Sequence, residues 1–290
     1  MKVASLKEIK ERIASVRSTR KITSAMKMVA AAKLHRAQRD IGSLVPYSEE
    51  LRAIVSHLAM GEGVAQIPLS EEREVRHVTV LGFASNTTFC GAYNNNVGRR
   101  IVEMLRQEYS SLAEEQRRIV AFGRQLAVDL KRGGIAFESG DEHLAERPNY
   151  LAYRTILDGL IEEFLAGRTD RVVMVYHKFI SPGVQRLVSE TLLPISLPSS
   201  EEVQQEMDYI LEPSRSELIG EIVPREVALR LFAAALSAVA SEHVARMVAM
   251  QVATDNADDL IASLSLEYNK QRQQAITAEL LDMAGGQREE

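Results

Sequence analysis

The chain has 290 residues, of which 46% are hydrophobic and 26% charged, a composition typical of a folded globular protein rather than a disordered one. The single cysteine, Cys90, excludes an intramolecular disulfide and any metal site built from several cysteines. The longest nearly apolar stretch, 231–240, is about half the ~20 residues that a membrane-spanning helix needs.

Charge is distributed unevenly along the chain. The formal net charge is −5, yet residues 1–40 carry eleven Lys and Arg against three Asp and Glu, a net of +8, so the remainder sums to −13. A basic first segment on an acidic protein indicates an acidic partner or an acidic segment of the same fold. The first residues include Lys and Glu and no apolar signal core, so we expect no secretory leader and a reducing compartment.

The first segment, 1–60, is predicted to be a coiled-coil helix. No proline precedes Pro46, and Ser5 and Glu8 have the spacing of a capping box that would satisfy free amides at a helix start. Seam residues then follow at alternating spacings of three and four, which is a heptad pattern: Leu6, Ile9, Ile13, Val16, Arg20, Thr23, Lys27, Ala30, Leu34, Ala37, Ile41 and Leu44. The middle of this seam is polar.

The middle segment, 74–200, alternates between strand-like and helix-like runs and contains ten of the sixteen glycines and four of the eight prolines. This alternation predicts a mostly parallel, Rossmann-like α/β domain inserted between the two ends of the chain. The predicted strands are 75–82, 118–123, 135–138, 172–176 and 184–188, and the predicted helices are 97–112, 124–132 and 151–166.

The last segment, 210–286, is predicted to be a second, longer coiled-coil helix that pairs antiparallel with the first. Residues 225–284 contain neither glycine nor proline, and Ser214 and Glu217 form a second capping-box match. Pro224 either kinks this helix or marks the first turn of its main segment. The predicted seam is Leu218, Ile222, Arg225, Leu229, Phe232, Leu236, Val239, His243, Arg246, Met250, Ala253, Ala257, Leu260 and Leu264.

Signatures of catalysis, cofactor binding and metal binding are missing from the sequence. It has no glycine-rich phosphate loop, no dinucleotide fingerprint, no nucleophile elbow and no pair of histidines four residues apart. Cys90 is weighed as a nucleophile against a small half-buried turn residue, and His243 as a pH switch against a packed histidine. The acidic run Glu201, Glu202, Glu206 and Asp208 is weighed as a metal site against a solvated loop. Without aromatic residues among its cations, the first helix is not expected to bind nucleic acid.

Three motifs near the two ends resemble the γ subunit of F-type ATP synthases. The run 21–33, KITSAMKMVAAAK, resembles that family's N-terminal helix, and RMVAM followed by ATDNA in 246–257 resembles its C-terminal helix. A third match, YNKQRQQAITAE in 268–279, precedes Gly285 and Gly286. The resemblance extends over essentially the whole chain but is weak from about 60 to 210.

The resemblance implies a central-stalk rotor that is not itself catalytic. Its helix pair would turn inside a ring of α and β subunits, and its globular part would touch the ε subunit and the c-subunit ring. The implied location is the cytoplasmic face of a bacterial inner membrane, as a peripheral protein. The residues implied to contact the β subunit are Met26, Lys27, Met28, Arg272, Gln273 and Thr277.

The sequence departs from this family after the first predicted strand. The family's usual Asp-Arg-Gly-Leu-Cys-Gly run reads Asn-Thr-Thr-Phe-Cys-Gly at 86–91, so the charged pair is replaced. Two rival functions remain. A coiled-coil scaffold or secretion adaptor shares the heptads but lacks the motifs around Met26 and Ile276, and a Rossmann-type enzyme with helical arms needs a phosphate-binding loop.

Overall fold

The computed structural model describes residues 5–58, 67–196, 212 and 214–286. The acidic run at 201–208 and the last residues of the predicted segment 1–60 lie outside this part. The chain divides into two compact units. One, which we call the coiled-coil unit, comprises 1–31 and 246–290, and the other, the sheet unit, comprises 32–245.

Two long helices contribute to both units: α1, Leu6–Leu58, and α6, Arg215–Gly286. The start of α1 is fixed by the predicted capping box, in which the Ser5 amide donates to Glu8 Oε2 at 2.7 Å and the Glu8 amide donates to Ser5 Oγ at 3.3 Å. At the start of α6, the Glu217 amide donates to Ser214 Oγ at 3.4 Å. Pro224 lies inside α6, which is assigned as one helix from Arg215, so no separate main segment begins at this proline.

The coiled-coil unit is an antiparallel helix pair. Ile9 and Ile13 of α1 share a buried cluster with Leu264 of α6, and further along the pair Thr23 faces Thr254. Ascending positions on α1 therefore meet descending positions on α6, as predicted. The predicted α6 seam is wrong at Leu260, which is 37% exposed, because the half-buried Ile261 takes the inward position between the buried Ala257 and Leu264.

The sheet unit contains a five-stranded sheet in the order β3-β2-β1-β4-β5. Strands β1 to β4 all run parallel to one another, and β5 is antiparallel to β4. This is the mostly parallel α/β domain that the sequence predicted. The strands are β1 Val78–Phe83, β2 Arg117–Phe122, β3 Glu138–Ser139, β4 Arg171–Ser181 and β5 Val184–Leu193.

Helices cover both faces of the sheet. Since alternate residues of a strand point to opposite faces, each buried strand contributes side chains to two cores. On β1, Val78 and Val80 join a core with α2 and α3, whereas Leu81 and Phe83 join a core with α5 and the sheet-unit portions of α1 and α6. The remaining helices are α2 Tyr93–Gln107, α3 Arg124–Arg132, α4 Glu142–Glu146 and α5 Tyr150–Leu165.

Candidate functional site

The first predicted contact group, Met26, Lys27 and Met28, lies on α1 within the coiled-coil unit. Met26 and Lys27 are half-buried, while Met28 is 65% exposed. Beside them the large apolar side chains of Ile22 and Val29 are each 58% exposed. This stretch of α1 therefore presents apolar side chains and a cation to the outside of the helix pair.

The second predicted group, Arg272, Gln273 and Thr277, lies on α6 in the same unit. All three side chains are exposed. The Thr277 hydroxyl donates to the Gln273 carbonyl oxygen at 2.9 Å, so it is satisfied within its own helix. The side chains of Arg272 and Gln273 could bind a partner without losing a side-chain hydrogen bond within the described residues.

The structure does not bring the two groups together. Lys27 lies four residues beyond Thr23 in one direction along the coil, and Arg272 lies 18 residues beyond Thr254 in the other. At ~1.5 Å per residue, these steps place the two groups about 33 Å apart along the coil. By the same register Arg272 lies level with Ser5, next to the start of α1 at Leu6.

Between the two groups the helix pair contains a polar layer, which we define as Arg20, Thr23, Thr254 and Asp258. Thr23 is only 8% exposed, and its Oγ1 lies 2.7 Å from Thr254 Oγ1. Arg20 Nε lies 2.6 Å from Asp258 Oδ1, with both side chains about half exposed. The sequence indicated a polar seam on α1, but it did not identify the partners on α6. The feature of the sequence that could have indicated them is the four-residue spacing between Thr254 and Asp258, which places both on one face of the helix.

The carboxyl edge of the sheet is where a doubly wound fold usually binds a ligand, in the crevice where neighbouring strands connect in opposite directions. Here that crevice lies between β1 and β4, and a portion of α6 covers it. The Tyr93 hydroxyl donates to the Ala238 carbonyl oxygen at 2.8 Å, and the Ser241 hydroxyl donates to the His177 carbonyl oxygen at 2.9 Å. The Phe179 amide donates to Ser237 Oγ at 2.6 Å.

The loop after β1 is held by its own side chains. The Ser85 amide donates to Asn94 Oδ1 at 2.9 Å, and the Asn94 side-chain amide donates to the Thr87 carbonyl oxygen at 3.1 Å. Cys90 is buried at 1% exposure, which agrees with a structural residue rather than an accessible nucleophile. Phe89 has a left-handed backbone, with φ of 64°, and its side chain is 66% exposed.

The histidines and carboxylates form no metal site in the part of the chain that the structure describes, where no group of three or more potential ligands occurs. His243 is buried, with Nδ1 3.8 Å from Glu242 Oε1. No helix within 5–58, 67–196 or 214–286 is long and apolar enough to cross a membrane.

Comparison with known proteins gives a consistent result. A family model described as ATP synthase matches residues 5–288. The ATP synthase gamma chain of Phocaeicola vulgatus is 44% identical over 287 residues, covering 98% of this chain and 99% of the relative, and that of Cytophaga hutchinsonii is 35% identical. A chain of the Euglena gracilis mitochondrial ATP synthase has a similar fold, with a TM-score of 0.64 at 17% identity over 97% of this chain and 93% of that one.

Proposed function

Since this chain belongs to the γ-chain family of ATP synthases, we propose that it is the central-stalk rotor that couples ion flow through the membrane sector to ATP synthesis and hydrolysis. The supporting observation is the surface of the coiled-coil unit. Large apolar side chains of both helices are at least half exposed there, at about one level of the pair: Ile22, Met28, Val29, Val248 and Val252. Apolar side chains clustered in this way call for a protein partner.

The helix pair can act on nucleotide sites that it does not itself contain. A shaft whose faces carry different side chains makes different contacts with otherwise equivalent subunits around it, and those contacts give the subunits different nucleotide affinities. Rotation of the shaft then exchanges the affinities among the subunits. In this proposal the β subunits are contacted by Met26, Lys27, Met28, Arg272, Gln273 and Thr277.

The separation of the two contact groups fits this role. At about 33 Å apart along the coil, they would contact two different levels of the surrounding ring of α and β subunits. Torque transmitted at one level then has a second point of support at the other. The globular part would contact the ε subunit and the c-subunit ring, at the cytoplasmic face of a bacterial inner membrane.

We also propose that the chain is non-catalytic within its complex. The crevice where an open doubly wound sheet would receive a nucleotide is covered by α6, held by the three hydrogen bonds of Tyr93, Phe179 and Ser241. Calorimetry of the isolated chain with Mg-ATP should show no saturable binding. A micromolar site would contradict the non-catalytic role.

Reconstitution tests the rotor role directly. The purified chain, mixed with the α and β subunits of the same organism, should form a complex whose native mass corresponds to one copy of this chain with three copies of each partner. ATP hydrolysis by that complex should drive rotation of a bead attached to the chain. Failure to assemble at this ratio, or assembly without rotation, would reject the proposal.

A further inference from the structure

The polar layer of the coiled-coil unit is an unusual choice of residues for the inside of a helix pair. Apolar residues in place of Thr23 and Thr254 would give more stability, because a polar pair between the helices loses hydration that its hydrogen bonds only partly replace. In coiled coils the best-attested use of such polar positions is to fix register and pairing at a cost in stability.

The hydroxyl pair is fully bonded in the observed register. One of the two threonine hydroxyls donates to the other across the 2.7 Å contact, and the second can donate to its own helix, from Thr254 to the Met250 carbonyl oxygen at 2.8 Å or from Thr23 to the Arg20 carbonyl oxygen at 3.0 Å. Axial sliding of one helix would separate the two hydroxyls and leave apolar side chains opposite them. Sliding would also separate the Arg20 and Asp258 charges.

The neighbouring apolar positions are poorly suited to fixing the register. Towards the sheet unit, the next buried positions are Ala30 on α1 and Met250 on α6, and in the other direction Ala257 is buried on α6. A methyl group makes few shape-specific contacts, and an unbranched methionine adapts to different surroundings. Register discrimination in this stretch therefore rests on the four polar side chains.

We propose that Arg20, Thr23, Thr254 and Asp258 are positioning residues that lock the axial register of the two helices of the shaft. On α1, the polar-layer residues Arg20 and Thr23 lie three to eight residues from Met26–Met28. The polar layer therefore sets the position of Met28 of α1 relative to Val248 of α6. This inference rests on the proposed rotor function, because a shaft that slips internally changes the contacts that it offers to each surrounding subunit.

Register is measured by disulfide cross-linking in the assembled complex, in a Cys90→Ala background. Ile13→Cys with Leu264→Cys reports the native register, since both side chains share one buried cluster. Leu6→Cys with Leu264→Cys is offset by about one heptad, roughly 10 Å, which is too far for a disulfide unless the helices slip. Each pair is examined with the native layer and with Thr23→Val and Thr254→Val together.

The native layer should give mainly the first cross-link, whereas the double valine chain should give the offset cross-link at several times the small yield of the native layer. Its thermal unfolding temperature should be unchanged or higher, because valine keeps the shape of threonine and removes the buried hydroxyl. ATP-driven ion pumping should fall severalfold relative to ATP hydrolysis. A merely structural role would instead lower the unfolding temperature and leave the register unique.

Matched variants complete the test. Thr19→Val removes an exposed threonine hydroxyl that bonds only its own helix, to the Ser15 carbonyl oxygen at 3.2 Å, and should change neither register nor coupling. Thr23→Ser with Thr254→Ser should restore the single register. Arg20→Gln with Asp258→Asn tests the charged pair if the valine chain does not fold. A unique native register in both the valine and the amide variants overturns this inference, while failure of the wild-type chain to couple would reject the rotor function instead.

Discussion

At the scale of single residues, the imidazole of His177 shows how the sheet unit depends on pH. His177 is 7% exposed, its ring stacks on Tyr93 with centroids 4.5 Å apart, and its buried Nδ1 has no hydrogen-bond partner among the described residues. Burial lowers the pKa of His177 to about 4. The folded chain therefore keeps this ring neutral at a pH where an unfolded chain would already protonate it.

The free energy of unfolding should consequently decrease as the pH is lowered from about 6.5 to 4. In this window the unfolded state binds a proton at His177 that the folded state does not, so the free energy of unfolding decreases by up to about 3 kcal/mol as pH drops through it. His177→Phe keeps the ring stacking and removes the titration, so its unfolding temperature should depend less steeply on pH. The exposed His35 changed to Phe is the control, and equal slopes for wild type and His177→Phe would contradict this assignment.

We expect Arg272 and Gln273 to affect coupling but not folding. A charge-assisted hydrogen bond from Arg272 to a β-subunit carboxylate would contribute about 1.5–3 kcal/mol where it is partly desolvated. Arg272→Ala with Gln273→Ala should therefore slow ATP turnover of the reconstituted complex severalfold. Circular dichroism and thermal unfolding of the isolated chain should be unchanged, because both side chains are exposed.

The neighbouring Gln274, also exposed, is the control for a change of surface alone. Wild-type turnover in the Arg272, Gln273 double variant would show that this contact is not made.

Sequence reasoning could name Arg272 and Gln273 because they fall within recognisable motifs. It could not find Thr254 and Asp258 as partners of α1, since pairing between distant helices depends on a register that spacing within one helix does not reveal.

At the scale of elements, the glycines that end strands and interrupt helices have opposite physical roles. Gly123, between β2 and α3, has φ of 108°, and a Cβ there would lie within van der Waals overlap of the Ala84 carbonyl group. Gly159, inside α5, has open space where a Cβ would point. The same substitution should therefore have opposite signs at the two positions.

Gly123→Ala should lower the free energy of unfolding of the sheet unit by at least about 3 kcal/mol, through backbone strain and overlap with a main-chain carbonyl. Gly159→Ala should raise it by about 0.5–1 kcal/mol, because alanine restricts the unfolded chain and favours a helix. Urea unfolding followed by circular dichroism measures both. A neutral Gly123→Ala would show that the turn relaxes at no cost.

The sequence predicts the ends of a helix or strand well where residues that break regular structure flank it on both sides. The predicted helix at 124–132 coincides with α3, because a left-handed glycine precedes it and two glycines follow it. Strand β4 runs to Ser181, five residues beyond its predicted end at Tyr176, because pairing with β5 extends the strand through a run that mixes polar and apolar residues. The five-residue helix α4 is too short to show a period, although Asp141 caps it by accepting from the His143 amide.

The role of Asn86, which stands where the family usually has Asp, depends on contacts that only the folded loop shows. Its side chain accepts from the Arg124 amide at 3.1 Å and donates to the Glu142 carbonyl oxygen at 2.7 Å. Arg124 in turn forms an ion pair with Glu142 at 2.6 Å. Three segments that are distant in sequence meet at this point, so the residue that departs from the family's usual pattern serves as a brace within the chain.

At the scale of the whole molecule, the two units differ in how much apolar surface each buries within itself. The sheet unit has two extensive buried clusters, on either face of the sheet, whereas the described apolar cluster of the coiled-coil unit consists of Ile9, Ile13 and Leu264 with Val16 and Tyr268 packed against it. Local stability follows buried apolar contact.

Hydrogen exchange of the isolated chain should therefore be slow across 75–190 and fast across 5–30 and 255–285. Assembly with α and β subunits should slow exchange in the two fast ranges, because their exposed apolar side chains would then be covered. Mass spectrometry of peptides from these ranges measures the difference. Uniform protection in the isolated chain would contradict a shaft that depends on its surrounding subunits.

The portion of α6 over the carboxyl edge of the sheet behaves as a tethered ligand. Because 237–241 belongs to the same chain as the crevice it covers, its effective local concentration is on the order of millimolar or more and does not fall on dilution. A diffusible molecule would have to compete with an occupant that is always present and already hydrogen-bonded. The place where this type of fold receives exchangeable ligands is thereby permanently occupied, and the sheet serves as a seat for a helix.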